Sequence, residues 1–176
     1  MPMLETERLR LRPFVPADLE RVHEQFDVHP DVWRYDPGYP PTLAQRQSWL
    51  MYRIQELRMQ GVGCLAVELK KTSELIGCCG LEFALHKGKT YSTPEIEIYY
   101  RLGRDYWGSG YASEAAQETL RYAFDDLRLP RVLAHSSAEN VGSHTVMRRI
   151  GMTIEPHPLN PEEVIGVVLN ERRAEE

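Results

Sequence analysis

Residues 107–115 read WGSGYASEA, a glycine-rich turn that runs straight into a helical pattern, and the fold follows from what flanks it. Upstream, residues 95–102 (EIEIYYRL) have the alternating apolar pattern of a strand; downstream, residues 112–127 have helical apolar spacing. The unit is therefore strand, glycine turn, helix. Gly108 and Gly110 let the backbone approach a ligand closely, and the unpaired N–H groups of the helix's first turn, at the positive end of its dipole, suit a pyrophosphate. Two common phosphate motifs fail here. A Walker loop needs a lysine followed by Ser or Thr, and the stretch has none. The dinucleotide fingerprint needs a third glycine where Ser113 stands and an acidic residue closing the next strand, but residues 131–137 end without one.

Composition narrows the class. With 176 residues the chain is long enough to bury roughly two thirds of its unfolded surface as one domain spanning 1–176, and no second domain is required. A content of 42% hydrophobic and 27% charged residues is that of an ordinary globular protein, and a net charge of -5 argues against nucleic acid as a partner. The opening MPMLETERLRLRPF has charges throughout and no apolar core, which predicts neither a signal peptide nor a membrane partner and points to a cytoplasmic protein. Of three cysteines, Cys78 and Cys79 are adjacent on an expected strand and point to opposite faces, so no disulfide framework is predicted. Six histidines occur without HExxH or a CxxC partner; they read as packing or surface residues, and no metal is predicted.

Along the chain, residues 6–13 alternate Leu9 and Leu11 with Arg8, Arg10 and Arg12, the signature of a half-buried strand whose arginines face solvent. A short helix opens at Pro16–Ala17–Asp18 and runs to about residue 26. Residues 32–42 carry three aromatics, a glycine and three prolines, which is turn chemistry. Thr42 begins a helix that stops at Gly61. Strands are expected over 63–69 and 75–83, a polar mobile connection over 86–93, then strands over 95–102, 131–137 and 164–169, with a short helix over 143–150. Residues 170–176 read as a frayed tail.

Three stretches in this order and spacing, LETERLRLRPF, EIYYRLGRDYWGSGYASEA and NVGSHTVMRRIGM, resemble the GNAT superfamily of N-acetyltransferases over nearly the whole chain. Within it, the chain is most similar to the Rim-type branch, which acetylates ribosomal-protein N-termini. The resemblance implies an α/β fold of mixed type, with a central splayed sheet of six or seven strands, flanked by about four helices, and acetyl-CoA lying in the splay as co-substrate. It implies that backbone groups of Tyr100, Arg101 and Leu102 pair with the acetyl and pantetheine part, and that Trp107, Gly108, Ser109, Gly110, Tyr111, Ala112 and Ser113 hold the pyrophosphate. Asp105 stands where the family often has Gln or Arg. Asn140 matches an asparagine that hydrogen-bonds the pantetheine arm, and it also reads as a helix-entry residue. Met147 occupies the position of the tyrosine that protonates the departing thiolate in many relatives. In the Rim-type branch a serine three residues after the asparagine is proposed instead, and Ser143 stands there; it also reads as an N-cap. A homodimer is common among similar proteins.

Acetyl transfer from a thioester to an amine needs a neutral amine, a stabilised oxyanion and help for the leaving thiolate. An α-amine of pKa ~7.8 is roughly a tenth neutral at pH 7, whereas a lysine of pKa ~10.4 costs about 4.6 kcal/mol to deprotonate. Glu95 and Glu97 lie two apart on one face of a strand, and Glu82 lies on its expected neighbour. These carboxylates read either as a base cluster at the acceptor end of the cleft or as solvated strand-face charges. Glu97 aligns with a recurrent acid of the family and is the first candidate for a base acting through water, with Glu82 second. The loop over 33–41 reads either as a core cap or as a wall of the acceptor site, with Trp33 and Tyr35 as substrate contacts. The acceptor is a peptide N-terminal α-amine or a small-molecule amine such as a polyamine, aminoglycoside or amino acid; a coenzyme-A-binding module without catalysis is the rival from another class.

Overall fold

A computed structural model describes residues 3–35, 37–87 and 92–171. The strands are β1 (Leu4–Glu5), β2 (Leu9–Arg12), β3 (Cys64–Leu69), β4 (Leu75–Lys87), β5 (Ser92–Leu102), β6 (Arg131–Ser137), β7 (Thr153–Pro156) and β8 (Glu163–Leu169). The helices are α1 (Leu19–Phe26), α2 (Leu43–Gln60), α3 (Tyr111–Arg121) and α4 (Val141–Arg149). All eight strands join one sheet in the order β1-β2-β3-β4-β5-β6-β8-β7. Six or seven strands were expected; the additions are β1 and β7, of two and four residues, too short to show a period in sequence. Every pairing is antiparallel except that of β5 with β6.

That exception opens the sheet. β5 registers with β6 at one position, Glu97 with Leu133, whereas its other edge pairs with β4 along its whole length, from Lys87↔Ser92 to Gly77↔Leu102. Residues 98–102 therefore have a strand on one side only. The pairing also corrects the expected connection over 86–93: β4 continues through Lys87 and β5 begins at Ser92, because ladder hydrogen bonds carry the hairpin past its polar side chains. Residues 88–91 of that connection lie outside the described residues.

Side-chain alternation assigns the two faces. Leu9, Leu11, Leu65, Ile76, Leu81 and Ile98 pack with Ala115 and Ala116 of α3 and Met147 of α4. On the opposite face Cys64, Ala66 and Cys78 meet Val22 and Phe26 of α1, Leu50 and Ile54 of α2, and Trp33. α2 is bounded as its sequence predicts: Gln45 N–H donates to Thr42 Oγ1 (3.3 Å), Thr42 N–H donates to Gln45 Oε1 (2.9 Å), and Gly61 closes the helix at φ 72°. α3 is extended by a π-turn over Tyr122–Asp126, which carries the predicted helix to its end near residue 127. Among the described residues no helix is long and apolar enough to cross a membrane.

Candidate active site

The glycine turn has the conformation its sequence demands. Gly108 and Gly110 lie at φ 74° and 82°, a region that costs any residue with a Cβ. Gly110 is the residue before α3 and supplies no side-chain cap, so the N–H groups of Tyr111, Ala112 and Ser113 keep their donor capacity for a ligand. Trp107 ties the turn to the strand: its indole N–H donates to the Leu102 carbonyl at 2.9 Å. That hydrogen bond uses one of the two lone pairs of the Leu102 carbonyl. A depression of about 480 Å³ beside the turn is lined by Arg8, Gly110, Ser113, Glu114, Gln117 and Arg149 among others.

Arg8 is exposed, as its solvated strand face implies, and also braces the turn. It donates to the Ser109 carbonyl (3.1 Å) and pairs with Glu114 of α3 (2.6 Å), with its guanidinium 4.4 Å from the Tyr111 ring centroid. Arg12 departs from the solvated description: it is engaged with Asp18 (2.8 Å) and Glu68 (2.7 Å) and mostly covered, whereas Arg10, beside Glu5 at 3.4 Å, fits it. Asp105 is exposed in a short 3-10 turn, and Arg104 stacks over Trp107 at 4.9 Å, next to the glycines.

At the start of α4, Asn140 is the N-cap: its Oδ1 accepts the Ser143 N–H at 3.1 Å. The cap expected of Ser143 therefore belongs to Asn140, and the Ser143 hydroxyl is left for other work. It lies 2.8 Å from the Tyr100 hydroxyl, which also donates to the Ser143 carbonyl at 3.1 Å. A tyrosine thus reaches this place from β5, while Met147, at the family's tyrosine position, is fully buried in the core. Burial pushes the Tyr100 phenol up to about 12, so it stays protonated and can donate.

The opposite face of the same strand carries the carboxylates. Glu82 and Glu97 are register partners, but each has a partner of its own. Glu82 accepts from Arg53 at 2.6 Å, and Arg53 is shared with buried Glu56 at 2.9 Å. Burial raises the Glu82 carboxyl, Arg53 opposes that, and the like charges of Glu56 and Glu97 add to it. Glu95 accepts from Nε and Nη2 of Arg131, and its carboxyl is lowered by that pairing first; it is a paired strut rather than an open base. Glu97 faces His135, with Oε1 2.6 Å from Nδ1, and that hydrogen bond raises the His135 pKa from its ordinary value.

His135 is one of three clustered imidazoles. The ring centroids of His86, His135 and His157 lie 5.7–6.1 Å apart, beside a cavity of about 450 Å³ that Glu97, His135, His157, Asn160 and Glu163 help to line. Sequence reasoning missed this cluster and Arg53 and Arg131 as partners of the glutamates. Nothing in spacing brings residues 86, 135 and 157 together; the parity of Arg131, Leu133 and His135 on one strand was the available signal, and it needed the β5–β6 register to be used. Of the aromatic loop, Trp33 is buried, donates its indole N–H to the Phe26 carbonyl (2.8 Å) and carries the Arg101 guanidinium on its ring at 4.0 Å. Its contact with a substrate could only be indirect. Tyr35 is 38% exposed, under Arg34 at 5.6 Å, and remains accessible.

A family model described as an acetyltransferase (GNAT) domain matches residues 8–153. An uncharacterised N-acetyltransferase p20 of Bacillus licheniformis is 32% identical over 156 residues, which is 88% of this chain and 84% of the relative. An Aspergillus fumigatus protein named FsC-acetyl coenzyme A-N(2)-transacetylase is 31% identical over 162 residues, 86% of this chain and 65% of that protein. The crystal structure of an acetyltransferase from Agrobacterium tumefaciens superposes with a TM-score of 0.78 at 31% identity, covering 96% of this chain and 94% of that one.

Proposed function

The chain belongs to the GNAT family of acetyltransferases, and from that premise we propose that residues 1–176 act as one N-acetyltransferase domain that moves an acetyl group from acetyl-CoA to a primary amine by direct attack. The observation that carries this reading is the edge of β5 over residues 98–102, partnered by β4 alone and leading directly into a glycine turn with two left-handed residues before a helix. Such an edge can take an extended pantetheine arm as a sheet takes a strand, and the turn can take a pyrophosphate. Acetyl-CoA supplies the activated acyl group when bound; Tyr100, Arg101, Leu102, the residues Trp107 to Ser113 and Asn140 are the groups that would hold it.

Two sets of residues then divide the proton work. Glu97 heads the deprotonating side, and Ser143 the side of the leaving sulfur. When the Tyr100 hydrogen turns from the Ser143 carbonyl to Ser143 Oγ, the serine hydrogen is free to be given to a thiolate, and the phenol supports the resulting charge. We expect Ser143→Ala and Tyr100→Phe each to lower kcat about tenfold, and together by little more than the larger single loss, since the two hydroxyls act as one chain. The effect is small for acid catalysis because a thiol of pKa about 8.5 is an undemanding leaving group. Full additivity of the two losses in a kinetic double-mutant cycle would separate them.

For the acceptor, the leading reading is a peptide or protein N-terminal α-amine of the Rim-type kind, whose low pKa asks least of the base. A small-molecule amine is the second reading, favoured by the relative whose name assigns it acetyl transfer to FsC. The test is coenzyme release, followed with a thiol-reactive dye, against peptides with Ser, Ala and Thr N-termini, polyamines, aminoglycosides and amino acids. Release with peptides alone supports the first reading, and release with small amines alone the second. Silence across the panel, with acetyl-CoA still raising the melting temperature, would favour a coenzyme-A-binding module.

A further inference from the structure

The three-histidine cluster has the spacing of a metal site, with one candidate ligand atom per residue within 4.8 Å of the others, but its lone pairs are wrong for one. His157 Nδ1 accepts two backbone N–H groups, from Leu159 (3.1 Å) and Asn160 (2.9 Å). Its lone pair is spent there, so the neutral ring carries its hydrogen on Nε2 and presents a donor to the cluster. His86 Nδ1 is buried and has no hydrogen-bond partner. His135 has the opposite tautomer to His157: Nδ1–H donates to Glu97 Oε1 (2.6 Å), which leaves the Nε2 lone pair available. Of the three rings, His135 has its free lone pair set by a carboxylate, on a side chain 24% exposed beside the cavity that Glu97 also lines.

We propose that His135 is the catalytic base of this enzyme, taking the amine proton on Nε2, and that Glu97 is a positioning residue that fixes its tautomer and stabilises the imidazolium. The inference rests on the acetyl-transfer reading above and names the group that performs its first proton transfer. The step balances: the amine nitrogen forms the C–N bond as the C–S bond breaks, one N–H proton passes to His135 and on to water, the sulfur gains one from Ser143, and water returns one to Ser143, so no proton is gained or lost overall. The groups facing His135 are Glu97 on β5, Glu163 on β8, His86 at the end of β4 and His157 after β7; Arg131, two residues earlier on β6, is engaged with Glu95, and Glu82, opposite Glu97, with Arg53. The hydrogen bond to Glu97 and the carboxylate charges raise His135 from its ordinary value and outweigh its burial.

The test combines pH-rate profiles with nitrogen-15 NMR of the imidazoles. In the wild type, kcat/KM should rise with pH along a limb whose midpoint matches the NMR titration of His135, and the spectra should show His135 as the Nδ1–H tautomer and His157 as Nε2–H. His135→Ala should lower kcat about 10²–10³-fold and remove that limb, with KM for acetyl-CoA little changed. Glu97→Gln, which keeps an acceptor for Nδ1–H but not the charge, should shift both limb and titration to lower pH with a smaller loss. The proposal is overturned if the limb survives in His135→Ala, if Glu97→Gln costs as much as His135→Ala, or if His135 carries its hydrogen on Nε2. Tight Zn²⁺ binding by the wild type that His86→Ala abolishes would overturn it too, in favour of a metal site. Failure of the acetyl-transfer reading shows differently, as no turnover with any acceptor; the NMR arm still decides the tautomers in that case, and a wrong tautomer sinks the proposal.

Discussion

Asp27→Ala is expected to lower the unfolding temperature by about 6–20 °C. The Arg46 guanidinium is almost wholly buried, 1% exposed, and its partner is Asp27: Nη2 to Oδ1 at 2.7 Å and Nε to Oδ2 at 3.1 Å. Around the pair stand Trp33, Trp49 and Phe26, with ring centroids 4.9, 4.7 and 5.5 Å from the guanidinium carbon. Removing the carboxylate strands a cation among aromatics, a change that costs about 3–5 kcal/mol; at about 2–4 °C per kcal/mol for a chain of this size, the stated shift follows. His23, whose Nδ1 lies 2.6 Å from the same carboxylate, also loses its partner. Adding Arg46→Met should restore most of the loss, because an apolar side chain of similar length asks for no counter-ion. A shift under about 2 °C in the single variant, measured by thermal unfolding in the absence of ligand, would mean that water or rearrangement reaches Arg46. The pair also fixes Trp33 beneath Arg101, so the variant should loosen the wall of the acceptor face before the sheet itself melts.

The same pair shows where sequence reading runs out. Helix α2 was legible from Thr42, Gln45 and Gly61, since capping is local, and β2 from the alternation of Leu9 and Leu11. The turn before α3 was legible because Gly108 and Gly110 stand at its left-handed positions. What could not be read was how charges meet. Arg12 looked solvated because it alternates with Arg8 and Arg10 on one strand face, yet it bridges Asp18 and Glu68, the second 56 positions away. Glu95 and Glu97 are equivalent in sequence, two apart on one face, and the structure makes one a strut for Arg131 and the other the partner of His135. That difference is set by β6, whose register against β5 rests on one residue pair. Function is placed by such non-local pairings, whereas local periodicity determines only the elements that bring them together.

Gly110→Val is expected to raise KM for acetyl-CoA at least about tenfold while leaving kcat at saturation within about threefold. Gly110 lies at φ 82°, where a β-branched residue is an outlier at a cost of about 1–3 kcal/mol. The added Cβ would stand 3.5 Å from Arg8 Nη2, so space alone does not forbid it; the backbone does. Relief of that strain turns the peptide before α3 and with it the N–H groups of Tyr111 and Ala112, the donors proposed for the pyrophosphate. Because Arg8 grips the Ser109 carbonyl and Glu114 on either side of the glycine, the turn cannot drift as a unit, and the distortion stays where the phosphates would bind. His135, Glu97 and Ser143 sit on β6, β5 and α4 and should keep their geometry, which is why the loss belongs in KM and not in kcat. Initial rates over a range of acetyl-CoA concentrations separate the two, and a thermal shift with coenzyme A alone gives the binding loss without an acceptor. An unchanged KM would show that the turn is a connection only, and that the phosphates are held elsewhere, with the depression between Arg8 and Arg149 the next place to look.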